Sequence, residues 1–238
     1  MIKFFRRIRQ KLLSENKFSK YFLYAIGEII LVVIGILIAL QINEWNQEKQ
    51  NLKLKDTYLI GLKTDAENDI RKLDGFIKTA SKYTTKVDSF MLVKNGALSK
   101  KDLDQIGIVR QTYFITDGTF QEIIANGHLK LLPGKIKQEL LAQTTFFKAT
   151  NKIDAANTEN VNKQHLKMGN YFELQRREGP SLYQVISYPH TDIKQATLVY
   201  RNYINICTDW MKLQQRFYNR LKQQHLKVVA LIDKELAK

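Results

Sequence analysis

The chain has 238 residues, carries 38 Lys and Arg against 23 Asp and Glu for a net charge of +15, and is 44% hydrophobic. That apolar share excludes a wholly disordered chain, and with only 11 Gly and three Pro a turn-rich sandwich or barrel is disfavoured. A single cysteine, Cys207, excludes an intramolecular disulfide framework and a zinc ribbon.

The first thirteen residues hold two faces. Met1, Phe4, Phe5, Ile8 and Leu12 share one side of a helix; Lys3, Arg6, Arg7 and Gln10 lie opposite. That is the pattern of a basic amphipathic helix lying on an anionic membrane leaflet, with Arg6, Arg7, Arg9 and Lys11 as its interfacial cations. Residues 1–20 form this segment, expected to be cytoplasmic.

Tyr21 to Ile42 contains no Lys, Arg or Asp. As a helix it is roughly 33 Å long, enough to cross a hydrocarbon core. A soluble helix keeps a polar face, and here only Glu28 and Gln41 are polar. Tyr21, Phe22 and Tyr24 on one side and Trp45 on the other bracket the span as interfacial aromatics. Seven Lys and Arg precede the span, against three Lys over residues 43–62. The positive-inside rule then sets the N-terminus in the cytoplasm and residues 43–238 outside it, which in a Gram-negative cell is the periplasm. The basic region is too long and the apolar run too extended for a cleaved signal peptide, and no A-x-A-like site follows. The segment reads as an uncleaved anchor.

The stretches FFRRIRQKLL, ENK and YAIGEIILVVIGILIALQINEWN, over residues 3–46, closely resemble the N-terminus of domain-of-unknown-function family 6090, small single-pass membrane proteins of the Bacteroidota. The resemblance continues more loosely at TFQEIIANGHLKLL, residues 119–132. Glu44 departs from the family's usual Asn before the Trp, and His128 follows Gly127 where Asn is common. The resemblance implies an inner-membrane anchor with a helical exterior domain. It implies no activity and carries over no catalytic residue.

From Glu44 to about Val93 there is no Pro, and Leu59, Leu62, Ala66, Ile70, Leu73, Ile77, Ala80, Val87 and Met91 recur in steps of the helical period. Nothing between Gly35 and Gly61 stops a helix, so the span is expected to run into this one, which Lys94-Asn95-Gly96 ends. Ser99 with Asp102, and Thr119 with Glu122, have capping-box spacing and predict short helices, the second closed by Gly127. A long helix is predicted from about Lys135 toward Arg177, with Ile136, Leu140, Phe147, Ile153, Val161, Met168 and Phe172 on its stripe and Gly179-Pro180 as its stop. Thr191 or Asp192 caps the last helix, predicted to bury Tyr203, Cys207, Trp210, Phe217, Leu221, Val228 and Leu231. No alternating pattern is long enough to assert a sheet. The expected fold class is all-α: one transmembrane helix, then an extracytoplasmic antiparallel bundle of long helices over residues 43–238.

The chemical motifs are negative. Between Gly127 and Gly134 lie six residues where a P-loop has four, and Ile136 stands where Ser or Thr would hold magnesium. There is no H-E-x-x-H, no C-x-x-C and no serine-hydrolase elbow. His128, His165, His190 and His225 lack ligand spacing, so neither metal nor cofactor is expected. Cys207 lies on an apolar stripe and reads as a small core residue.

Glu28 is the informative polar residue. It lies roughly 10 Å into the span, where an ionisable group is costly and suggests function. It shares a face with Gly35 and Ala39, a small-xxx-small pair. Three readings stand: a helix-packing face, a proton-responsive carboxyl, or a group reaching the cytoplasmic interface. Beyond the span, 31 basic and 21 acidic residues remain once the seven N-terminal cations, Glu15 and Glu28 are set aside. Arg216, Arg220, Lys222 and Lys227 crowd the last helix. With that domain outside the cytoplasm, nucleic acid is not an expected partner; the bilayer, other membrane or envelope proteins, and a homo-oligomer through the span are. The expected function is a membrane-anchored scaffold or interaction module, not an enzyme. The alternative is an accessory subunit of a proton-coupled complex that uses Glu28.

Overall fold

The computed structural model describes residues 18–93, 99, 115–176, 183–187 and 193–238. The expected interfacial helix, the turn at Lys94–Gly96, the Ser99–Asp102 cap, the Gly179-Pro180 stop and the cap at Thr191 or Asp192 lie wholly or partly outside these residues. The chain divides into two units, Met1–Lys55 and Asp56–Lys238.

Helix α1, Phe18–Val93, is a single element of 76 residues. With no Pro in it, the glycines at 27, 35, 61 and 75 weaken the helix without breaking it. In the first unit it carries one stretch long and apolar enough to cross a membrane, and none of that stretch is buried. A core helix of a soluble protein would be covered.

The second unit is all-α in its large elements. After the last part of α1 come α2 (Gly118–Ala125), a 3-10 turn (His128–Leu131), α3 (Gly134–Met168) and α4 (Ile193–Leu236). Between α3 and α4 lies a two-stranded antiparallel hairpin, β1 (Glu173–Arg176) with β2 (Tyr183–Ser187), in which Leu174 pairs with Val185. The sequence predicts α3 to run toward Arg177 and supports no sheet. The helix instead ends at Met168: the Gly169 amide bonds back to Leu166, and the amides of Tyr171 and Phe172 both bond to the Met168 carbonyl at 2.9 Å. Leu174, Gln175 and Arg176 are good helix formers, so propensity concealed the strand. Pairing with a segment containing Val185 and Ile186 decides the matter.

Polar rungs fix the helix directions. On the α1–α4 side, Lys63 pairs with Asp233, Lys222 with Asp74, and Lys212 with Asp88. On the α3–α4 side, Lys227 pairs with Glu139, and Trp210 bonds Asp154. The numbers rise along one helix as they fall along α4, so α4 runs antiparallel to both. Each exposed pair contributes little stability, about 0–1 kcal/mol; burial holds the bundle.

That burial has a fixed spacing. In α4 the buried seam is Thr197, Tyr200, Ile204, Cys207, Met211, Gln214, Tyr218, Leu221, His225, Val228 and Ile232. In α1 it is Leu59, Leu62, Ala66, Asp69 and Leu73, then Ala80, Tyr83, Val87 and Phe90. Steps alternate between three and four, with half-buried Phe76 completing the α1 series. Such spacing keeps one face toward its neighbours over many turns. It also shifts several expected core positions by one. Ile70 and Ile77 are half-buried while Asp69 is covered; Phe217 and Leu231 yield to Tyr218 and Ile232; Ile153 is 44% exposed beside Asp154. Polar residues occupy seam positions, and an apolar count cannot see them. Cys207 is a buried core residue, as its stripe implied. The largest apolar cluster joins all three helices through Tyr83, Val87, Val161, Met168, Tyr203 and Trp210. Phe172, past the end of α3, stays buried in it, edge-on to Tyr200.

Gly61 on α1 lies tight against Thr119 of α2. A Cβ there would lie 2.9 Å from the Thr119 methyl carbon and 3.0 Å from its hydroxyl. Thr119 has little room to retreat, because its amide donates to Asp65 at 3.1 Å. This contact replaces the expected capping box: α2 starts at Gly118 with no side-chain cap of its own, and Asp65 accepts an amide from its first turn. Gly127, at φ +68°, follows α2 in the left-handed region. We expect Gly61→Ala to destabilise by about 1 kcal/mol, overpacking outweighing the helix-propensity gain. In a Thr119→Ala background the same change should stabilise; urea melts of the four proteins read the reversal.

Candidate functional site

The residues expected to form a membrane face lie on α1 in the first unit. Glu28 is half-buried; Gly35 and Ala39 are exposed, and a Cβ at Gly35 would meet nothing within 4 Å. Trp45 carries Lys49 over its ring at 5.8 Å. Arg6, Arg7, Arg9 and Lys11 fall outside the described residues.

In the second unit the seam contains two polar layers. The first joins α1, α3 and α4. Asp69 is fully buried, and its Oδ2 accepts the Thr116 amide at 2.8 Å. His225 Nε2 lies 3.5 Å from the same oxygen, too long for a strong hydrogen bond. Lys72 Nζ stands 3.5 Å from Asp69 and donates to the Thr116 hydroxyl at 2.7 Å. Gln143 on α3 completes the layer. Asp69 Oδ1, Gln143 Nε2 and His225 Nε2 are buried without hydrogen-bond partners. All three residues belong to the same part of the seam, and Gln143 and His225 line a cavity of about 20 Å³ with Asp65, Thr116 and Asp117. That is room for about one water.

Burial pushes the His225 imidazole down to about 4, against the opposing pull of Asp69. The sign of the consequence follows from linkage. The folded state holds His225 neutral and unfolding lets it charge, so between about 4 and the ordinary value of 6.5 the unfolded chain binds more protons. Its contribution is complete above pH 6.5 and is lost as pH falls through that window. Urea melts should therefore lose stability on acidification, by an amount on the order of 3 kcal/mol at most from this group. His225→Leu should flatten that part of the profile.

The second layer centres on Asp154 of α3. Its Oδ1 accepts both Trp210 Nε1, at 3.1 Å, and Gln214 Nε2, at 2.8 Å. Phe146, Phe147, Phe217 and Tyr218 wall the adjacent pocket. Burial, with Asp154 adding to it, raises the Tyr218 phenol far above its usual range.

The basic face of α4 is largely engaged. Lys222 pairs with Asp74 and Lys227 with Glu139, both at 2.5 Å. Arg220 lies 4.5 Å from the Phe146 ring centre. With Lys222 and Lys227 paired to carboxylates and Arg220 against a ring, the four do not form an open anion-binding track among the described residues. Among the described residues no group of three or more His, Cys, Asp or Glu could hold a metal ion.

These layers went unread in the sequence. Asp69, Asp154, Gln214 and His225 share no motif. Their signal is register: each falls in a three-and-four series otherwise filled by apolar or half-buried residues.

Residues 28–136 match a family of unknown function, DUF6090. The resemblance read from the residues thus holds over that stretch, while residues 3–27 and everything past 136 lie beyond it. No curated protein and no solved structure matches the chain. Within the matched stretch, Asp65 and Gly61 seat the start of α2 on α1, and Asp69 holds Thr116 just before it. Tyr58 extends it, its hydroxyl 2.8 Å from His128 Nδ1. His128 is thereby tied to α1.

Proposed function

We propose that this is a single-pass inner-membrane protein holding a coiled-coil-like helical module outside the cytoplasm, where it acts as a scaffold for other envelope proteins. One observation carries the reading: an apolar helical stretch left entirely uncovered, on the same helix that supplies one face of a bundle. The seven N-terminal cations support the orientation. The two polar layers suit a scaffold, since buried polar groups at seam positions penalise misaligned helices. In the membrane, Glu28, Gly35 and Ala39 form the face for self- or partner association.

A membrane two-hybrid assay on the full chain tests this. Gly35→Ile should weaken association, and Gly27→Ile, roughly 100° away from Glu28, should do less. Glu28→Gln should leave association largely intact. Equal association of the wild type and Gly35→Ile would remove the packing face. Loss of function in Glu28→Gln with association intact would favour the proton-coupled alternative.

A further inference from the structure

The cavity beside His225 has three walls of one kind and a fourth of another. Asp65 and Ala66 on α1, Gln143 on α3, and His225 itself on α4 belong to long helices. The fourth wall is Ile115 to Asp117 with Phe120, the start of α2 and the three residues before it. The long helices are joined by seams that run for many turns. The fourth wall has far less to hold it. α2 has eight residues, of which Phe120 and Ile123 are buried. Its polar attachments to α1 are the Thr116 amide on Asp69, the Thr119 amide on Asp65, and Lys72 on the Thr116 hydroxyl. A segment with so few buried contacts opens at a lower free energy than the core it covers.

What the fourth wall covers is a base. His225 is 3% exposed, and its Nε2 has no hydrogen-bond partner. The charged groups around it are Asp65, Asp69 and Lys72 from α1 and Asp117 from the fourth wall; α3 offers the neutral Gln143 and Thr144. Asp69 Oδ2 already accepts the Thr116 amide and stands 3.5 Å from Nε2, too far to hold an imidazolium by a strong hydrogen bond. The space of about 20 Å³ admits about one water, too little to solvate that cation. Moving the fourth wall away would hydrate His225 and leave the walls from α1, α3 and α4 in place.

We propose that residues 115–125 form an acid-released strap: a proton taken from solvent by His225 frees the start of α2 from α1 while the three long helices stay packed. The closed form holds the imidazole down at about 4, against an ordinary value of 6.5 once it is hydrated. Between those values the open form binds more protons, so its population grows as pH falls. The strap is independent of the anchoring reading, because it needs no particular side of a membrane.

Hydrogen–deuterium exchange on the full-length, detergent-solubilised protein tests it, with rates corrected for the pH dependence of free amides. From pH 7.5 to pH 5, opening of a peptide spanning Thr116 to Ala125 should rise roughly tenfold or more. Low urea should leave that opening unchanged, since little surface is exposed by it. Peptides covering Ile204 to Met211 should stay better protected and should exchange faster as urea is added, as global unfolding requires. His225→Leu removes the titrating ring and should abolish the rise; His225→Gln does the same and serves if the first variant does not fold. No rise in the Thr116–Ala125 peptide, a rise that survives in the folded variant, or exchange that tracks Ile204–Met211 in both rate and urea dependence would overturn the strap.

Discussion

Asp69→Ala should cost the bundle about 3 kcal/mol, the upper end of the cost of leaving a buried donor without its acceptor, since the bond lost is one to a carboxylate. Two losses coincide. The Thr116 amide loses its acceptor and Lys72 loses a counter-charge. A buried donor left unmade is expensive in its own right. Asp69→Asn retains a carbonyl oxygen for the Thr116 amide and should cost less. Urea unfolding of wild type and both variants at pH 7.5 checks the order. Equal stability of Asp69→Ala and wild type would mean that the segment from Ile115 to Asp117 is not held against α1 as described.

Trp210→Ala should be of similar size, about 3–5 kcal/mol. Trp210 is 7% exposed, packs in the core shared by all three helices, and bonds Asp154. Phe217→Ala should cost appreciably less, because Phe217 is half-buried at the rim of the aromatic pocket while Tyr218 takes the seam position. The sequence stripe treats the two aromatics as equals. Thermal melts of both variants separate the readings: matching large losses would favour the stripe, and a wide gap favours the seam.

What was legible follows from how strongly each feature is written in apolar residues. The long helices were, because Leu59, Leu62, Ala66 and Leu73 repeat without a Pro to interrupt them, and Gly127 marks the end of α2. The membrane-spanning candidate was, because 22 residues from Tyr21 to Ile42 carry almost no polarity. The hairpin was not: four residues of helix-favouring type form β1 only because β2 lies alongside. The seam register was legible only in part. Asp69, Gln143, Gln214 and His225 interrupt the apolar count where it would have fixed the phase, and the count drifted to Ile70, Phe217 and Leu231. Gly61 looked like a weakness in α1, and its purpose appears only once Thr119 is set against it. The polar layers needed three dimensions, since Asp69 meets His225 across 156 residues and Asp154 meets Gln214 across 60.

The central claim is that one uncovered apolar helix anchors the chain and that the bundle lies outside the cytoplasm. A reporter active only after export, fused after Lys238 and compared with one active only in the cytoplasm, tests it most directly. With seven cations before the span and three lysines in the twenty residues after it, the export-dependent fusion should be active and membrane-bound, and the cytoplasmic one silent. Activity of the cytoplasm-only fusion, with the export-dependent one silent, would contradict the account.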